Sequence, residues 1–316
     1  MKILITDCNT LMYNNDVSLD ILDKFGEVIC YESINRDDLL KEVGDVDVIL
    51  CNKTIIDSAV FDKAPKLKYI GLFATGYNNI DINSAKKHGV TVCNAGSYST
   101  NAVAQQVFSY ILSYYTKVES YDRLVKSGAW ITSPTFSMMC YPTDELSNKT
   151  IGIIGYGSIG KRVAVIANAF GMNVLVYTRT PKNDDTVKFV DLKELLSLSD
   201  IVTVHCPLNE QSLNMFNDKT FGIMKDGAIF INTSRGGVVE EKALFDALKS
   251  GKLSFAAVDV LNKEPMDKDC ILKNAENIMI TPHTCWVPLA TRKRLINIVS
   301  DNLTAFLNGS PTNVVS

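Results

Sequence analysis

A glycine-rich turn between an apolar run and a helical run constrains the fold of this chain more than any other segment. Residues 150–160 read TIGIIGYGSIG, so Gly155, Gly157 and Gly160 have the spacing G-x-G-x-x-G after a β-branched run. In such a turn the first glycine permits the sharp bend, the second lets the backbone approach a pyrophosphate, and the third lets helix and strand pack closely. The segment predicts the first βαβ unit of a nucleotide-binding sheet, with a purely structural glycine turn as the alternative.

Short apolar runs alternate with helical runs along the whole chain, which predicts parallel sheets with crossover helices. In the first third, strands are predicted at residues 2–8, 28–33, 46–52, 68–74 and 90–94, with helices that include 17–25 and 36–43. Further on, strands are predicted at 150–155, 173–178, 200–206, 228–234, 255–260 and 277–282, and helices at about 101–118, 158–170, 191–198, 217–224, 239–250 and 290–308. The predicted fold class is α/β, with two doubly wound parallel-sheet domains and a small-ligand site in the cleft between them.

Composition and charge argue against several classes of protein. The formal net charge is −3 and basic residues are scattered, so we expect no nucleic-acid partner. No stretch approaches the roughly 20 apolar residues of a membrane span, and Asp7 ends the N-terminal apolar run too early for a signal peptide. The eight cysteines have no metal-ligand spacing. We therefore expect reduced thiols, no metal site and a cytoplasmic location.

The residues at the end of the predicted strand 173–178, the second strand of this βαβ unit, influence which cofactor binds. An acidic residue there would bind the ribose 2′-hydroxyl of NAD. This chain instead has Thr178, Arg179 and Thr180, with Lys182 two residues further on. Two cations can pair with the 2′-phosphate of NADP, so we expect NAD(P)H as the cofactor, with NADP preferred to NAD. The alternative is that Arg179 covers the adenine face, which suits either cofactor.

Three histidines are candidates for an acid–base group. His88 lies at a predicted helix end, where a solvated cap explains it, and a hydrogen-bonded structural role suits His205 at a strand end. His283 lies just past the last strand of the nucleotide-binding series, and parallel sheets bind ligands at the carboxyl ends of their strands. Arg235 and Glu264 follow the two preceding predicted strands. We expect all three side chains at one edge of one sheet.

These three side chains suit the reduction of a 2-keto acid, which needs a hydride, a proton and a group that binds a carboxylate. A nicotinamide supplies the hydride. Arg235 can bind the carboxylate and polarise the carbonyl oxygen, and His283 can deliver the proton because imidazole titrates near neutrality. Glu264 can hold the imidazole and favour its protonated form. In the reverse direction His283 acts as the base.

The chain resembles the D-isomer-specific 2-hydroxyacid dehydrogenase family over essentially its whole length. The segments that carry the resemblance are the glycine turn, residues 205–208 (HCPL), 232–237 (NTSRGG), 259–265 (DVLNKEP) and 282–286 (PHTCW). The resemblance implies a flavodoxin-like substrate domain of residues 1–100 plus 288–316 and a Rossmann NAD(P)-binding domain of residues 101–287. It also implies a homodimer, with contacts through the long helix after residue 101 and through residues 130–146.

The resemblance further implies contacts for cofactor and substrate. Asp259 would meet the nicotinamide carboxamide, and the loop around Thr75 and Gly76 would present backbone N–H groups to the substrate carboxylate. Lys53, Arg235 and His283 would also contact the substrate, and Trp286 would limit the size of its pocket. The expected cofactor contacts are Gly155, Tyr156, Gly157, Ser158, Ile159, Gly160, Thr178, Arg179, Thr180, His205, Cys206, Pro207, Thr233, Ser234, Arg235, Asp259 and His283.

Two segments narrow the resemblance within the family. Residues 74–78 (ATGYN) and the His-x-x-Trp pattern from His283 are most similar to hydroxypyruvate or glyoxylate reductases, also called glycerate dehydrogenases. The expected reaction is the reversible reduction of such a small 2-keto acid to the D-2-hydroxy acid. Two alternatives stay open: a D-lactate-type dehydrogenase acting on pyruvate, and a non-catalytic NAD(H)-sensing protein like the C-terminal-binding corepressors.

Overall fold

The computed structural model describes residues 1–180 and 183–316, and these residues form two compact units. The first unit comprises Met1–Ser99 and Trp286–Ser316, and the second comprises Thr100–Cys285. Each unit contains one parallel sheet, so the fold class is α/β with two parallel-sheet domains, as predicted. Lys182, the second of the two cations expected near the cofactor, lies outside the described residues.

Five parallel strands form the sheet of the first unit, in the order β2-β1-β3-β4-β5. This order is that of flavodoxin-like sheets. The strands are β1 Lys2–Ile5, β2 Glu27–Cys30, β3 Val48–Cys51, β4 Tyr69–Leu72 and β5 Thr91–Cys93. Every residue of β3 and β4 is buried, because a parallel sheet with helices on both faces has no solvated side.

Helices cover both faces of this first sheet. One face packs against α1 Arg36–Glu42, α2 Ser58–Lys63 and α3 Ile82–Lys87. The other face packs against the C-terminal helix Leu289–Leu307, whose apolar side chains Leu295, Val299 and Leu303 are buried there. The helical period predicted for residues 290–308 therefore belongs to a helix that completes the core of the N-terminal sheet.

The expected α-helix over residues 17–25 is wrong. Only Asp20–Phe25 winds, as a 3-10 helix. The Ser18 hydroxyl accepts the Asp20 N–H at 3.0 Å, and Gly26 turns the chain with a φ of 144°. These local contacts compete with an α-helical pattern on both sides of the segment. Further 3-10 helices are Cys8–Thr10 and Val43–Asp45.

Seven parallel strands form the sheet of the second unit, in the order β12-β11-β10-β9-β6-β7-β8. The strands are β6 Thr150–Ile154, β7 Asn173–Tyr177, β8 Lys188–Phe189, β9 Ile201–Val204, β10 Ala228–Asn232, β11 Leu253–Val258 and β12 Ile278–Ile280. Six were predicted; β8 has only two residues and is too short to show a period. The direction of strand addition reverses between β6 and β9, and this switch point is where such sheets bind ligands.

Helices also cover both faces of the second sheet. They are α4 Thr100–Thr116, α6 Ser158–Ala169, α7 Leu192–Leu198, α8 Asp218–Ile223 and α9 Glu241–Lys249, with 3-10 helices at Gly236–Val238 and Ile271–Asn274. A further helix, α5 Val118–Lys126, follows α4 and buries none of its residues. The long helix predicted to reach residue 118 ends at Thr116, because Lys117 adopts a left-handed φ of 54°. Residues 130–146 form neither helix nor strand.

No helix among residues 1–180 and 183–316 has both the length and the apolar character that crossing a membrane requires. The same residues contain no group of three or more His, Cys, Asp or Glu side chains that could hold a metal ion.

Candidate active site

Three neighbouring strands bring the predicted catalytic side chains to one edge of the second sheet. Arg235 follows β10, Glu264 follows β11 and His283 follows β12. These strands pair in parallel, β10 with β11 and β11 with β12, so their carboxyl ends lie side by side. Loops at this edge are where parallel α/β sheets place their ligand-binding groups.

His283 and Glu264 form a close pair. His283 Nδ1 lies 2.6 Å from Glu264 Oε2, with about a third of each side chain exposed (29% and 36%). The other carboxylate oxygen, Oε1, accepts the Leu261 N–H at 3.0 Å, which orients the carboxylate. Because Nδ1 faces Glu264, Nε2 is the ring nitrogen that can exchange a proton with a bound molecule.

The turn that carries His283 depends on Asp259. His283 has a left-handed φ of 56°, which is uncommon for a residue other than glycine. The buried Asp259 carboxylate accepts from Thr281 Oγ1 at 2.5 Å and from the N–H groups of Thr284 and Cys285 at 2.8 and 3.0 Å. These contacts on both sides of His283 hold its backbone in place. Both carboxylate oxygens of Asp259 are engaged in this turn.

Arg235 lies in a tight turn between β10 and the 3-10 helix Gly236–Val238. Its Nη1 donates to Ser234 O at 2.7 Å, and its own carbonyl accepts from Asn232 Nδ2 at 3.0 Å. Asn232 Oδ1 in turn accepts the Ser234 N–H at 3.0 Å. Sequence reasoning did not assign Asn232 a role, although its position at the end of β10 was visible.

Gly236 lets the Arg235 turn lie against the loop that carries Glu264. A β-carbon at Gly236 would be 2.0 Å from the backbone of Leu261, so no other residue fits without moving the chain. Leu261 is also the residue whose N–H binds Glu264. The close approach therefore links the Arg235 and Glu264 loops. The sequence alone did not assign this role to Gly236.

Gly155 and Gly160 have the sharp bend and the close packing that the motif predicted. Gly155 has a φ of 95°, and a β-carbon there would lie 2.8 Å from the backbone of His205 and Cys206. A β-carbon at Gly160 would lie 2.1 Å from Gly155 O, whereas one at Gly157 would meet nothing within 4 Å. Gly157 is the N-cap residue of α6, and it has no side chain that could bind the first N–H groups of this helix. The start of α6 thus has open space where a phosphate could approach its N–H groups.

Tyr156 is buried between these glycines, which limits how it can contact a cofactor. Its hydroxyl donates to Asp184 Oδ2 at 2.6 Å. Burial and the Asp184 charge raise the pKa of Tyr156 to about 12. The Tyr156 side chain therefore packs in the core beneath the glycine turn. Only its backbone is placed to contact a cofactor at this turn. Ser158 and Ile159, the other two expected contacts, begin α6.

The segment after β7 contains the residues expected to distinguish NADP from NAD. Thr178 is half-buried, and Arg179 and Thr180 are exposed. Asp184 is a carboxylate in the same connection that sequence reasoning missed. Its oxygens accept from Tyr156 and from Thr186 Oγ1 at 2.6 Å, which lowers the pKa of Asp184. It lies six residues past the position where an acid was sought.

His205 is held as a neutral ring at the switch point of the sheet. Its Nε2 lies 3.0 Å from Thr203 Oγ1, and its Nδ1 lies 3.5 Å from Thr233 Oγ1. The residue as a whole is only partly buried, but its ring is enclosed closely enough that desolvation lowers the pKa of His205 to about 3. This arrangement fits the hydrogen-bonded structural role, and it disfavours proton transfer by His205 near neutrality.

The remaining residues expected beside the cofactor follow β9 and β10. Cys206 is half-buried, and burial raises the pKa of its thiol. Pro207 is exposed and its carbonyl accepts from Ser212 Oγ at 2.7 Å. Thr233 and Ser234 are half-buried between Asn232 and Arg235. These side chains share the carboxyl edge of the second sheet with the catalytic candidates.

The residues expected on the substrate side belong to the first unit. Lys53 follows β3 and is exposed, and Thr75 and Gly76 follow β4. Thr75 Oγ1 donates to Gly96 O, and Thr75 O accepts from Asn94 Nδ2 at 2.7 Å. Lys53, Thr75 and Gly76 thus occupy the carboxyl edge of the first sheet.

Trp286, expected to limit the size of the substrate pocket, begins the C-terminal part of the first unit. It is half-buried and packs edge-on against Tyr98, with ring centroids 6.3 Å apart. This contact fixes the indole ring against the core of the first unit.

Comparison with known proteins identifies the family. The profile of the NAD-binding domain of D-isomer specific 2-hydroxyacid dehydrogenases matches residues 108–285. A hydroxypyruvate reductase of Blautia hydrogenotrophica is 39% identical over 322 aligned positions, which cover 100% of both chains. The chain belongs to the D-isomer-specific 2-hydroxyacid dehydrogenase family. It is therefore an oxidoreductase that acts on CH–OH groups and uses a nicotinamide cofactor.

Solved structures of other proteins have the same fold as this dehydrogenase. An acyclic imino acid reductase in complex with NADPH and D-Arg is 29% identical, with a TM-score of 0.87 over 100% of both chains. A D-lactate dehydrogenase from Aquifex aeolicus, complexed with NAD and lactic acid, is 28% identical, with a TM-score of 0.83 over 98% of this chain and 96% of the other. Of these two, one holds NADPH and the other NAD.

The lowered pKa of His205 predicts a loss of stability in acid. Below the unfolded-state pKa of about 6.5 the unfolded chain binds a proton at this residue, whereas the folded chain does not until pH approaches about 3. The contribution of His205 to the free energy of unfolding therefore falls between these values, by up to about 1.4 kcal/mol per pH unit. Urea denaturation at pH 7 and pH 5 should show a smaller loss for His205→Gln than for the wild type. Equal losses in the two proteins would contradict this assignment.

Proposed function

We propose that this dehydrogenase reduces hydroxypyruvate or glyoxylate to the D-2-hydroxy acid, with Arg235, Glu264 and His283 as its catalytic residues. The observation that carries the proposal is the 2.6 Å contact of His283 Nδ1 with Glu264, at the sheet edge that also holds Arg235. A proton carrier and a guanidinium beside a nucleotide turn are the groups that keto-acid reduction requires. Similarity to a hydroxypyruvate reductase favours this substrate class.

Arg235, Glu264 and His283 each have a distinct role in the proposed reaction. A bound nicotinamide supplies the hydride to the carbonyl carbon. Arg235 binds the substrate carboxylate through its N–H donors and polarises the carbonyl oxygen. His283 donates the proton on Nε2 to that oxygen, which completes the hydroxyl group. Glu264 holds the ring through Nδ1 and stabilises the imidazolium before the transfer. In the oxidation direction neutral His283 accepts the hydroxyl proton.

The cofactor would be held along the carboxyl edge of the second sheet, which makes residues 101–287 the NAD(P)-binding domain of the proposal. The pyrophosphate would contact the N–H groups at the start of α6, where Gly157 leaves open space. Cys206, Pro207, Thr233, Ser234 and Asp259 would lie on the nicotinamide side. Because both Asp259 oxygens already bind the His283 turn, a contact with the carboxamide would have to share one of them.

NADPH is the proposed cofactor in preference to NADH. Arg179 is exposed directly after β7, where the adenosine ribose of a bound dinucleotide would lie. A guanidinium there would pair with a 2′-phosphate. Arg179 is the charged residue of the segment 178–180. The Asp184 carboxylate further along the same connection already accepts from Tyr156 and Thr186.

The first unit, residues 1–100 plus 288–316 in the proposal, would supply the substrate-binding side. The backbone around Thr75 and Gly76 would bind the substrate carboxylate, and Lys53 would add a positive charge. Trp286 would restrict the pocket to small acids. The anchoring of the Thr75 carbonyl by Asn94 at 2.7 Å gives this loop the rigidity that such binding needs.

A homodimer is the proposed assembly. Residues 130–146 expose large apolar side chains, with Ile131 87% and Phe136 and Met139 each 91% exposed. Apolar surface of this kind is characteristic of contacts between subunits. We also place the enzyme in the cytoplasm, since all eight cysteines are free thiols, which suits a reducing compartment.

A steady-state panel tests the function. Purified protein is assayed with hydroxypyruvate, glyoxylate and pyruvate, each with NADPH and NADH, beside the variant His283→Ala. We expect turnover of hydroxypyruvate or glyoxylate, and a kcat about 10²–10⁴-fold lower in the variant because general acid catalysis is lost. Fluorescence titration with the reduced cofactor should give similar Kd values for both proteins.

The panel also separates the alternatives. A preference for pyruvate would identify a D-lactate-type dehydrogenase. Cofactor binding without turnover of any keto acid would contradict an enzymatic role and favour the cofactor-sensing protein. Wild-type kcat in His283→Ala would remove His283 from the mechanism.

The choice of cofactor is tested by Arg179→Ala. Loss of one charge-assisted contact with the 2′-phosphate should raise the KM for NADPH about tenfold and leave the KM for NADH nearly unchanged. Arg162→Ala, which removes an exposed arginine of α6, is the matched control and should change neither constant. A wild-type preference for NADH, or equal effects of Arg179→Ala on both cofactors, would overturn the assignment.

A further inference from the structure

Asp7 is a buried carboxylate that the proposed mechanism does not use. It follows β1 and is only 4% exposed. Burying a carboxylate is costly unless hydrogen bonds replace its water. The contacts of Asp7 therefore indicate what its charge stabilises.

Three consecutive backbone N–H groups converge on this carboxylate. Asp7 Oδ2 accepts from Lys53 N at 2.6 Å, from Thr54 N at 2.9 Å and from Asn52 N at 3.1 Å, and Oδ1 accepts from Asn52 N at 2.9 Å. Thr54 Oγ1 also donates to Oδ2, at 3.1 Å. Successive amides that point at one anion form a concave nest, which here is filled by a side chain of the same unit.

Thr10, three residues after Asp7, makes a further contact with Asn52. Thr10 Oγ1 donates to Asp7 O at 2.8 Å and accepts from Asn52 Nδ2 at 2.9 Å. The short 3-10 helix Cys8–Thr10 thus acts with the Asp7 carboxylate. We call residues 52–54 the β3 loop. The segment that follows β1 thus binds the backbone of this loop through Asp7 and the Asn52 side chain through Thr10.

Asn79 connects the β3 loop to the loop that follows β4. Its Nδ2 donates to Thr54 O at 2.7 Å, and its own carbonyl accepts from Ile56 N at 2.9 Å. The loop after β4 includes Thr75 and Gly76. Through Asn79, the β3 loop is therefore joined to the far end of the loop that contains Thr75 and Gly76.

We propose that Asp7 is a positioning residue for substrate binding: its carboxylate fixes the β3 loop, and through it the direction of Lys53, at the carboxyl edge of the first sheet. This inference rests on the proposed function, because it assumes that a keto acid binds at this edge. Asp7 itself contacts backbone and not substrate. Its loss should therefore weaken keto-acid binding more than it slows the chemical step.

Asp7→Asn tests the role with little change in shape. The variant places a neutral amide, which has N–H donors of its own, among the donors of the β3 loop. We expect the KM for the keto acid to rise about tenfold, with kcat within about threefold of wild type and an unchanged Kd for the reduced cofactor. The matched control is Asp47→Asn. Asp47 accepts Lys2 N at 2.8 Å at the opposite edge of the same sheet, and its loss should leave the KM unchanged.

Hydrogen exchange of the wild-type enzyme gives a second readout that needs no variant. The N–H groups of residues 52–54 donate to the Asp7 carboxylate, which should slow their exchange with solvent. We expect the amides of residues 52–54 to exchange at least about tenfold more slowly than unprotected peptide, and faster in Asp7→Asn if that variant folds.

The outcomes are distinguishable. An active wild type with unprotected amides at residues 52–54, or with an unchanged KM in folded Asp7→Asn, overturns the positioning role alone. Equal rises in KM for Asp7→Asn and Asp47→Asn also overturn it. A wild type that reduces no keto acid overturns the proposed function and, with it, this inference.

Discussion

The parallel pairing of β10, β11 and β12 is the constraint on which the candidate active site depends. Each strand delivers one side chain, Arg235, Glu264 or His283, to the same sheet edge. Parallel pairing alone would leave these loops free to diverge. Gly236 prevents this, since its missing β-carbon lets the Arg235 turn lie directly on Leu261, whose N–H holds Glu264. The spacing of the three candidate catalytic loops is thus set by backbone contacts.

Both units use buried carboxylates to fix the loops that carry functional groups. The Asp259 carboxylate accepts the N–H groups of Thr284 and Cys285, which follow His283. The Asp7 carboxylate accepts those of residues 52–54. In each case an anion satisfies amides that a loop would otherwise expose to water, which stabilises one backbone conformation. A loop ordered in advance loses less entropy when a substrate binds.

Most strands and the catalytic candidates could be predicted from the sequence because they depend on local patterns. The glycine spacing and the apolar runs were enough to predict β6 and β7. The positions of Arg235, Glu264 and His283 after strands predicted that they are neighbours at one sheet edge, and the family resemblance sharpened their roles. The contacts of Asp7 join residues 45 to 47 positions apart, and no local pattern reports such a distance. Likewise, Asp184 binds Tyr156 across 28 positions. The break at Lys117 and the 3-10 form of Asp20–Phe25 depend on single backbone angles and local hydrogen bonds that override the helical period.

We propose that Glu264 orients the His283 ring through Nδ1, so that Nε2 can donate a proton to the substrate. This role is tested most directly by kcat for keto-acid reduction, at saturating substrate, in the wild type and in Glu264→Ala. Glu241→Ala is the control, because Glu241 also accepts a backbone N–H of this loop, from Asn262 at 2.8 Å. Without the carboxylate that holds Nδ1, kcat of Glu264→Ala should fall at least about tenfold, with an unchanged Kd for the reduced cofactor. A wild-type kcat in Glu264→Ala, or an equal fall in Glu241→Ala, would contradict this role.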